Sequence, residues 1–312
     1  PFLHRMDTFI QQIINGLVLG SIYALVALGY TMVYGILGLI NFAHGEVVMI
    51  GALTALTVIK LLADSGLPGT VVVLIGLLAA VPVCMALGFT IERIAYRPLR
   101  NAPRLAPLIT AIGVSIVLQQ LAMIFWGRNY HAFPPILPTS GRDIGGAHIT
   151  DVQIAIVLLA VAIMAGLMLL VNKTRLGRAM RATAENPQIA GLMGVNINVI
   201  ISATFLIGSA LAAVAGVMVS ANYSIAHYHM GFILGLKAFT AAVLGGIGNL
   251  PGAMLGGVLL GLIESLGAGY IGDLTGGFLG SHYQDIFAFA VLILVLLFRP
   301  SGIMGERVAD RA

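Results

Sequence analysis

Long apolar runs, separated by shorter polar segments, extend along nearly the whole chain. The first run, residues 8–45, contains no acidic or basic side chain other than one histidine over 38 positions. As a single helix it would be about 57 Å long, whereas the hydrocarbon core of a bilayer is about 30 Å thick. We therefore predict that this run breaks, and Gly35 and Gly38 are natural positions for the break.

The remaining apolar runs are each close to the ~20 residues that a spanning helix needs. After the first run, the predicted spanning segments are residues 41–63, 71–91, 105–127, 152–171, 197–221, two halves of 231–270, and 283–298. The predicted fold class is an all-α polytopic membrane protein with eight or nine transmembrane helices. The count depends on two broken or re-entrant regions, one beginning at Asn41 and the other at residues 245–252.

Composition supports the membrane class independently of the pattern. Of the 312 residues, 59% are apolar and 9% are charged, with a mean hydropathy of +1.02. A water-soluble core could not bury so much apolar surface and leave a polar exterior. The single cysteine, Cys84, lies inside an apolar run, so the sequence predicts no disulfide within the chain and no cysteine metal site.

Basic residues concentrate in two loops and at the C-terminus, which is a signal of topology. Nucleic-acid binding is not predicted from the net charge of +4, because basic loops mark the cytoplasmic side of a membrane protein. The residues concerned are Arg93, Arg97, Arg100 and Arg104 in the first loop, Lys173, Arg175, Arg178 and Arg181 in the second, and Arg307 and Arg311 in the tail. Alternation of sides then predicts an external N-terminus and a cytoplasmic C-terminus. Residues 131–150 and 222–231 fall on the external side.

Residues 172–196 form the one long water-compatible segment in the second half of the chain. After its basic start, residues 178–193 have apolar positions at helix-compatible spacing and one acid, Glu185. A short helix held between two spans on the cytoplasmic face would suit docking of a soluble partner. The alternative is a solvated basic loop that follows the positive-inside bias alone.

A polar cluster of Asn41, His44 and Glu46 interrupts the apolar sequence after the first run. A carboxylate near a membrane-embedded helix start is costly in lipid and should face protein, water or the interface. The cluster therefore has two interpretations: a broken element near the translocation path or gate, or an interfacial helix cap with His44 at headgroup level. The balance favours the cap. In the fourth predicted span, at least one of Gln119 and Gln120 should face the bundle, where an interhelical hydrogen bond is favoured over contact with substrate.

A second interrupted region surrounds residues 245–252, where glycine recurs densely. Lys237 and Glu264 lie within apolar sequence on either side of it, and intramembrane ionisable residues are functional candidates. Broken helices in transporters can present backbone groups to a small polar substrate. Most of these glycines have the spacing typical of close helix packing, but residues 245–252 are predicted to be a true break. Whether Lys237 and Glu264 pair is left open.

Several kinds of chemistry are absent from the sequence. It contains no GxxxxGK[ST] loop for ATP, no HExxH and no GxSxG, and few carboxylates lie in the spans, which argues against a proton-coupled carrier. His227 and His229 have no third ligand near them in sequence, so no metal site is predicted. No catalytic residue and no cofactor are predicted for this chain. A transporter with these features should obtain its energy from a partner.

Several blocks of sequence, in the right order, resemble the permease of branched-chain amino acid ABC importers, the LivH type. The loop at residues 172–196, with Arg178-Ala-Met-Arg-Ala and Ala184-Glu-Asn-Pro, resembles the cytoplasmic coupling loop of ABC importer permeases. The other blocks are Gly20-Ser-Ile-Tyr-Ala-Leu, Tyr30-Thr-Met-Val-Tyr-Gly, Ile40-Asn-Phe-Ala-His-Gly-Glu, Glu92-Arg, Tyr96-Arg-Pro-Leu-Arg, Lys237-Ala-Phe-Thr-Ala-Ala-Val-Leu-Gly-Gly-Ile-Gly and Arg299-Pro-Ser-Gly-Ile. The resemblance covers nearly the whole chain from Met6.

The resemblance implies a single permease domain over residues 1–312 in the bacterial inner membrane, with residues 172–196 as its coupling loop. It implies a second permease of the LivM type, two ABC ATPase subunits that bind ATP and Mg, and a periplasmic substrate-binding protein as partners, within membrane lipid. The residues predicted to contact the ATPase are Arg178, Arg181, Glu185 and Asn186. The candidates for a translocation path or gate are Asn41, His44, Glu46, Lys237, Thr240, Asn249 and Glu264.

Three other functions remain open at this point. A urea or short-amide permease of the same superfamily would share nearly every block. A stand-alone channel or facilitator would transport without an ATPase. An intramembrane enzyme would need a paired catalytic constellation, for which Lys237 with Glu264 is the candidate.

Overall fold

The structure is a computed structural model that describes residues 2–103, 105–278, 280 and 283–305. Its helices are α1 (Phe2–Leu37), α2 (His44–Leu62), α3 (Gly69–Ile91), α4 (Leu105–Trp126), α5 (Asp151–Lys173), α6 (Arg175–Glu185), α7 (Pro187–Leu192), α8 (Ile197–Tyr223), α9 (Met230–Gly245), α10 (Leu250–Leu274) and α11 (Gln284–Phe298). Beyond α3, the chain continues through a π turn, Glu92–Tyr96, and a 3₁₀ turn, Arg97–Leu99. Arg104, Arg307 and Arg311, which entered the topology prediction, lie outside the described residues.

Seven of these helices are long and apolar enough to cross a membrane, and α9 and α11 are shorter apolar helices. The predicted all-α polytopic membrane fold is confirmed, while the number of crossings stays a prediction. The sequence analysis did not predict the short strands that join the helices. β1 (His131–Ala132) pairs antiparallel with β4 (Ile225–Ala226), and β2 (Gly141–Ile144) forms a hairpin with β3 (Ala147–Thr150).

Both predicted interruptions are present as breaks in helical structure. α1 ends at Leu37, and the next residue, Gly38, has a φ of +64°. Between α9 and α10, Gly246 and Gly248 have φ values of +108° and +97°, a region of backbone conformation that glycine adopts without steric cost. α10 then begins at the N-cap Asn249, whose side chain accepts a hydrogen bond from the Gly252 amide.

Helices α1, α2 and α8 form the buried centre of the bundle, and α10 packs along α1. Gly257 of α10 lies so close to α1 that a Cβ there would be 2.5 Å from the Cα of Ala24. Small residues allow helices to approach this closely in membranes, so the packing interpretation holds for this glycine. Helices α3, α4 and α5 are mostly exposed and carry large apolar side chains on the outside, among them Leu74, Ile109 and Leu158.

The two ends of the bundle carry different features. At one end the Gln11 side chain of α1 donates a hydrogen bond to the His148 carbonyl of β3, at 3.0 Å, close to the strand pairs. At the other end lie α6, α7 and the second break. The C-terminal segment closes against that break, with the Ile303 amide bonded to the Leu244 carbonyl at 2.9 Å. The two ends of the described chain therefore lie at opposite ends of the bundle.

Candidate functional site

The carboxylate of Glu46 lies in the first turn of α2 and is 1% exposed. Its Oε1 atom accepts hydrogen bonds from Ser115 Oγ at 3.0 Å and from Gln119 Nε2 at 2.7 Å. Ser115 and Gln119 are four residues apart on α4 and so occupy one face of that helix. The predicted interhelical hydrogen bond of a glutamine is therefore confirmed, and Gln119 makes it. The second oxygen, Oε2, has no hydrogen-bond partner among the described residues.

The side chains of Asn41 and His44, at the first helix break, lie in different surroundings. The His44 ring is 2% exposed and packs edge-on against the Tyr30 ring at 5.0 Å between centroids. The Oδ1 atom of Asn41 accepts hydrogen bonds from the Ala43 amide at 3.1 Å and from the Tyr96 hydroxyl at 3.2 Å. A cap-like role thus applies to Asn41 alone. The interpretation of His44 at headgroup level is wrong, because α1 and α8 bury the histidine inside the bundle.

A cavity of about 390 Å³ opens beside Ser115 and Gln119, within the usual range for small-molecule sites. Its walls are mainly apolar and aromatic, with a few polar groups. The lining residues are Tyr30, Phe42, Ile112, Ser115, Ile116, Gln119, His229, Phe232, Gly235 and Leu236. We call this space the inner cavity.

A second cavity of about 390 Å³ lies nearer the strand pairs, and we call it the outer cavity. Its lining residues are Tyr130, Val219, Tyr223, Ile225, His227, His229, Met230 and Ile233. His229 lines both cavities. Burial, helped by the nearby His229 and His131, lowers the pKa of His227 below its usual range. Sequence reasoning had placed the two histidines on the external side without connecting them to a cavity.

Lys237 and Glu264 are paired, which answers the question that the sequence left open. Lys237 Nζ lies 2.6 Å from Glu264 Oε1 and 2.5 Å from Asp285 Oδ1, and the Tyr23 hydroxyl donates to Glu264 Oε2 at 2.8 Å. This charge cluster joins α1, α9, α10 and α11. Each charged member has an opposite charge beside it, which offsets the cost of placing a charge within the membrane.

The remaining path candidates lie elsewhere. The Thr240 hydroxyl is buried and donates to the Leu236 carbonyl of its own helix. Asn249 caps α10 and donates to the Met304 carbonyl at 3.1 Å, at the end of the bundle that carries α6 and α7. The seven candidates therefore fall into three separate places: the first break, the charge cluster with its helix, and the second break.

A further buried carboxylate, Glu92, anchors the loop rich in arginine. It is 0% exposed and accepts from Arg97 and Arg100, and from the Ser202 hydroxyl of α8 at 2.9 Å. Arg100 also donates to the Asn198 side chain near the start of α8. Glu92 thus holds the end of α3 against α8, close to the Tyr96 that bonds Asn41.

The segment α6–α7 presents a distinct surface at its end of the bundle. α6 buries Gly177, Met180 and Thr183 and leaves three of the predicted contact residues, Arg178, Arg181 and Glu185, exposed. The fourth, Asn186, is exposed and caps α7 by accepting from the Ile189 amide at 3.0 Å. The predicted helix over residues 178–193 is in fact two helices, because Asn186 and Pro187 end the first and start the second.

The sequence analysis did not predict the exposed apolar side chains of this segment. α7 exposes Ile189, Leu192 and Met193, with 58%, 87% and 80% of their surface accessible. Apolar side chains in a polar loop were the signal that could have found them, since large exposed apolar residues mark interaction surfaces.

α6 also lies beside both helix breaks. Arg181 and Ala184 line a small cavity of about 100 Å³ together with Gly35, Ile36 and Gly248. The helix therefore lies against the last turn of α1 and the second break, so a displacement of α6 would reach both.

These features define a polytopic membrane transport subunit: a bundle with two helix breaks, a cavity lined by residues of α1, α4 and α9, and an exposed helical segment at one end. The chain belongs to the family described as branched-chain amino acid transport system / permease component, which matches residues 12–296.

Relatives cover nearly the full length. The high-affinity branched-chain amino acid transport system permease protein BraD of Pseudomonas aeruginosa is 50% identical over 308 residues, covering 97% of this chain and 98% of the relative. The permease protein LivH of the same description from Escherichia coli is 46% identical over 310 residues, covering 97% of each. A probable LivH of Methanocaldococcus jannaschii is 28% identical and covers 95% of this chain and 92% of the relative. The resemblance inferred from the sequence blocks is confirmed.

Proposed function

We propose that this chain is the permease subunit of an ABC importer that moves leucine, isoleucine and valine across the bacterial inner membrane. The observation that carries the proposal is identity of 50% and 46%, over almost the full length, to two permeases of high-affinity branched-chain amino acid transport systems. In this proposal the chain has no ATPase site of its own. ATP and Mg bind to two partner ATPase subunits, a second permease of the LivM type completes the channel, and a periplasmic protein delivers the substrate.

The exposed segment α6–α7 supports an ATPase contact. Its outer surface combines the charged Arg178, Arg181 and Glu185 with the apolar Ile189 and Leu192, a combination typical of a docking surface with a hydrophobic centre and a polar rim. Because its inner surface lies against the end of α1 and the second break, force applied by a partner would reach the transmembrane bundle.

The orientation of the chain follows from the same assignment. With α6–α7 in the cytoplasm, the C-terminal segment is cytoplasmic, since it closes on the second break. The N-terminal part of α1 and the strand pairs are then on the external side, as the basic loops predict. The single permease domain extends over residues 1–312, with residues 172–196 as its coupling loop.

Purification from the native membrane in mild detergent, with mass spectrometry of the bound proteins, tests this assembly. We expect two P-loop ATPases and a second permease. A complex assembled on the paired substitution Arg178→Glu and Arg181→Glu should lose ATPase subunits or uncouple hydrolysis from uptake. The control is Arg142→Glu, an exposed arginine in the hairpin at the opposite end of the bundle. Unchanged transport in the paired variant would contradict the docking surface.

The competing functions give different outcomes. A urea or short-amide permease would purify with the same classes of partner, but its binding protein would hold a urea or amide ligand. A channel or facilitator would purify alone and conduct solute without ATP.

A further inference from the structure

Three carboxylates are fully buried in the described part of the chain, and they differ in whether a positive charge lies beside them. Glu92 contacts two arginines, and Glu264 contacts Lys237. Glu46 takes part in none of the ion pairs between described residues, and its hydrogen-bond donors are the neutral Ser115 and Gln119. A buried carboxylate without a cation beside it is costly. The presence of Glu46 inside the bundle is therefore explained either by a structural role or by the binding of a positively charged ligand.

The carboxylate lies directly behind the wall of the inner cavity. Ser115 and Gln119 both line that cavity, and both donate to the same oxygen of Glu46. The other oxygen, Oε2, has no hydrogen-bond partner among the described residues, on a side chain that is 1% exposed. Ser115 and Gln119 therefore lie between Glu46 Oε1 and the cavity, and Oε2 lies beside Gly231 of α9.

The other lining residues indicate which kind of ligand the inner cavity favours. Phe42, Ile112, Ile116, Phe232 and Leu236 give the cavity a large apolar surface, which favours an aliphatic or aromatic group. An anionic acceptor on one side and an apolar wall around it match a molecule with an ammonium group and an aliphatic side chain. A neutral amide such as urea offers neither feature.

The inner cavity also has a neighbour on the side of the strand pairs. His229 lines both the inner and the outer cavity, so this one side chain separates or joins them. A solute that enters through the outer cavity would pass His229 before it reaches Ser115 and Gln119.

We propose that Glu46, reached through Ser115 and Gln119, receives the α-ammonium group of an aliphatic amino acid while it passes through the inner cavity. This inference rests on the proposed function, because it names the site at which that importer holds its substrate in transit. In this proposal Glu46 recognises the positive charge of the substrate within the membrane. This recognition is separate from the selection made by the external binding protein.

A purely structural role would have Glu46 do no more than tie α2 to α4. The substitution Glu46→Gln separates the two roles, because the side-chain amide keeps an oxygen that can accept from Ser115 and Gln119 but loses the charge. A structural role tolerates this change, whereas a site for an ammonium group does not.

The experiment measures the charge preference of the inner cavity in the assembled complex in lipid nanodiscs. The one natural cysteine, Cys84, is buried and is replaced by serine. Ile116→Cys, in the cavity wall, reports on the site. Val117→Cys is the control, because Val117 has nearly the same exposure as Ile116, 56% against 53%, but lies outside the cavity lining. Each cysteine is labelled with a cationic aminoethyl methanethiosulfonate and with the neutral methyl reagent.

We expect the ratio of cationic to neutral labelling rates at Ile116→Cys to exceed that at Val117→Cys by about tenfold, which is an electrostatic difference of about 1.4 kcal/mol. Glu46→Gln should remove the excess at Ile116→Cys and leave the control ratio unchanged. Excess leucine delivered by the binding protein should slow labelling at Ile116→Cys. Equal ratios at the two cysteines, or a ratio that Glu46→Gln does not change, would overturn the proposal.

Two measurements keep the result interpretable. The comparison between the two cysteines needs no change at Glu46, so it stands even where Glu46→Gln fails to assemble. Failure of the parent complex to take up leucine at all would contradict the proposed function instead. A complex that imports leucine but shows no charge preference at the cavity would contradict this inference alone.

Discussion

Glu46 and Glu264 are both about 1% exposed and both lie within apolar helices, yet their surroundings differ. Glu264 shares a cluster with Lys237 and receives a hydrogen bond from Tyr23. Glu46 receives hydrogen bonds from neutral side chains only and keeps one oxygen without a partner in the described part of the protein. Burial alone therefore does not distinguish the two carboxylates. The informative property is whether an opposite charge lies beside the buried carboxylate.

The difference has an energetic meaning. A compensated pair within a membrane mainly holds helices together, and removal of one partner leaves the other charge buried at high cost. An uncompensated carboxylate raises the free energy of the empty state and gains most when a cation arrives. We therefore expect substitutions at the Lys237 cluster to change stability, and substitutions around Glu46 to change transport.

The largest effect is expected from Lys237→Met. It leaves Glu264 and Asp285 without their cation, so the free energy of unfolding should fall by about 3–5 kcal/mol. Unfolding in mixed detergent micelles measures this change, with Lys60→Met as the control because Lys60 is exposed. The double variant Lys237→Met with Glu264→Gln should lose less than the sum of the single variants. Strict additivity would mean that the two side chains do not act as a pair.

The next largest effects are expected when one hydrogen-bond donor is removed from each of the two carboxylates, Glu264 and Glu46. Tyr23→Phe deletes a hydrogen bond to Glu264, and Gln119→Leu deletes one to Glu46, and a hydrogen bond to a charged group contributes about 1.5–3 kcal/mol. Tyr23→Phe should lower stability and spare the transport rate per folded complex. Gln119→Leu should lower both. Equal effects of the two variants on leucine uptake per folded complex would remove the distinction between the clusters.

Neutralisation of each carboxylate sharpens the comparison further. Glu46→Gln should lower leucine uptake by about tenfold, which corresponds to about 1.4 kcal/mol. Glu264→Gln should act mainly through the amount of folded complex. Uptake normalised to purified complex distinguishes the two, with the exposed Asp64→Asn as a control for loss of a carboxylate near the end of the same helix as Glu46. A larger normalised loss in Glu264→Gln than in Glu46→Gln would reverse the assignment.

The smallest effect provides a baseline away from both carboxylates. Asn249→Ala removes the N-cap of α10 and its bond to the Met304 carbonyl, and loss of such a cap costs about 1 kcal/mol. Thermal unfolding of the purified protein should report this loss, and Asn249→Ser, which can still cap the helix, should restore most of it. A loss as large as that of Lys237→Met would show that the second break holds more than a helix cap.

The breaks were predictable because they follow from local properties. Glycine marked both interruptions, so Gly38 and residues 245–252 could be found without tertiary structure. Gly35 was the wrong position for the first break, because it lies inside α1, which continues unbroken for 36 residues. The hydrogen bond between Gln119 and some other helix was likewise predictable in kind. Its partner, Glu46, lies 73 positions away in sequence.

Pairings across helices could not be predicted because they depend on rotation and register. Lys237 and Glu264 were both noted as intramembrane charges, but the third member, Asp285, comes from α11 and completes the cluster only after that helix packs. His44 was assigned to the wrong environment because its position relative to α1 is a property of the packed bundle. The inner cavity depends on side chains from several helices that no sequence spacing relates.

Uptake of radiolabelled leucine into proteoliposomes tests the central claim most directly. The vesicles contain this chain with its partner permease and ATPase subunits, and the binding protein is added on the outside with ATP within. The account predicts accumulation of leucine against its gradient that requires hydrolysable ATP and the binding protein, and that fails in vesicles containing this chain alone. Equilibration of leucine by the chain alone without ATP, or ATP-driven accumulation of an amide but not of leucine, would contradict it.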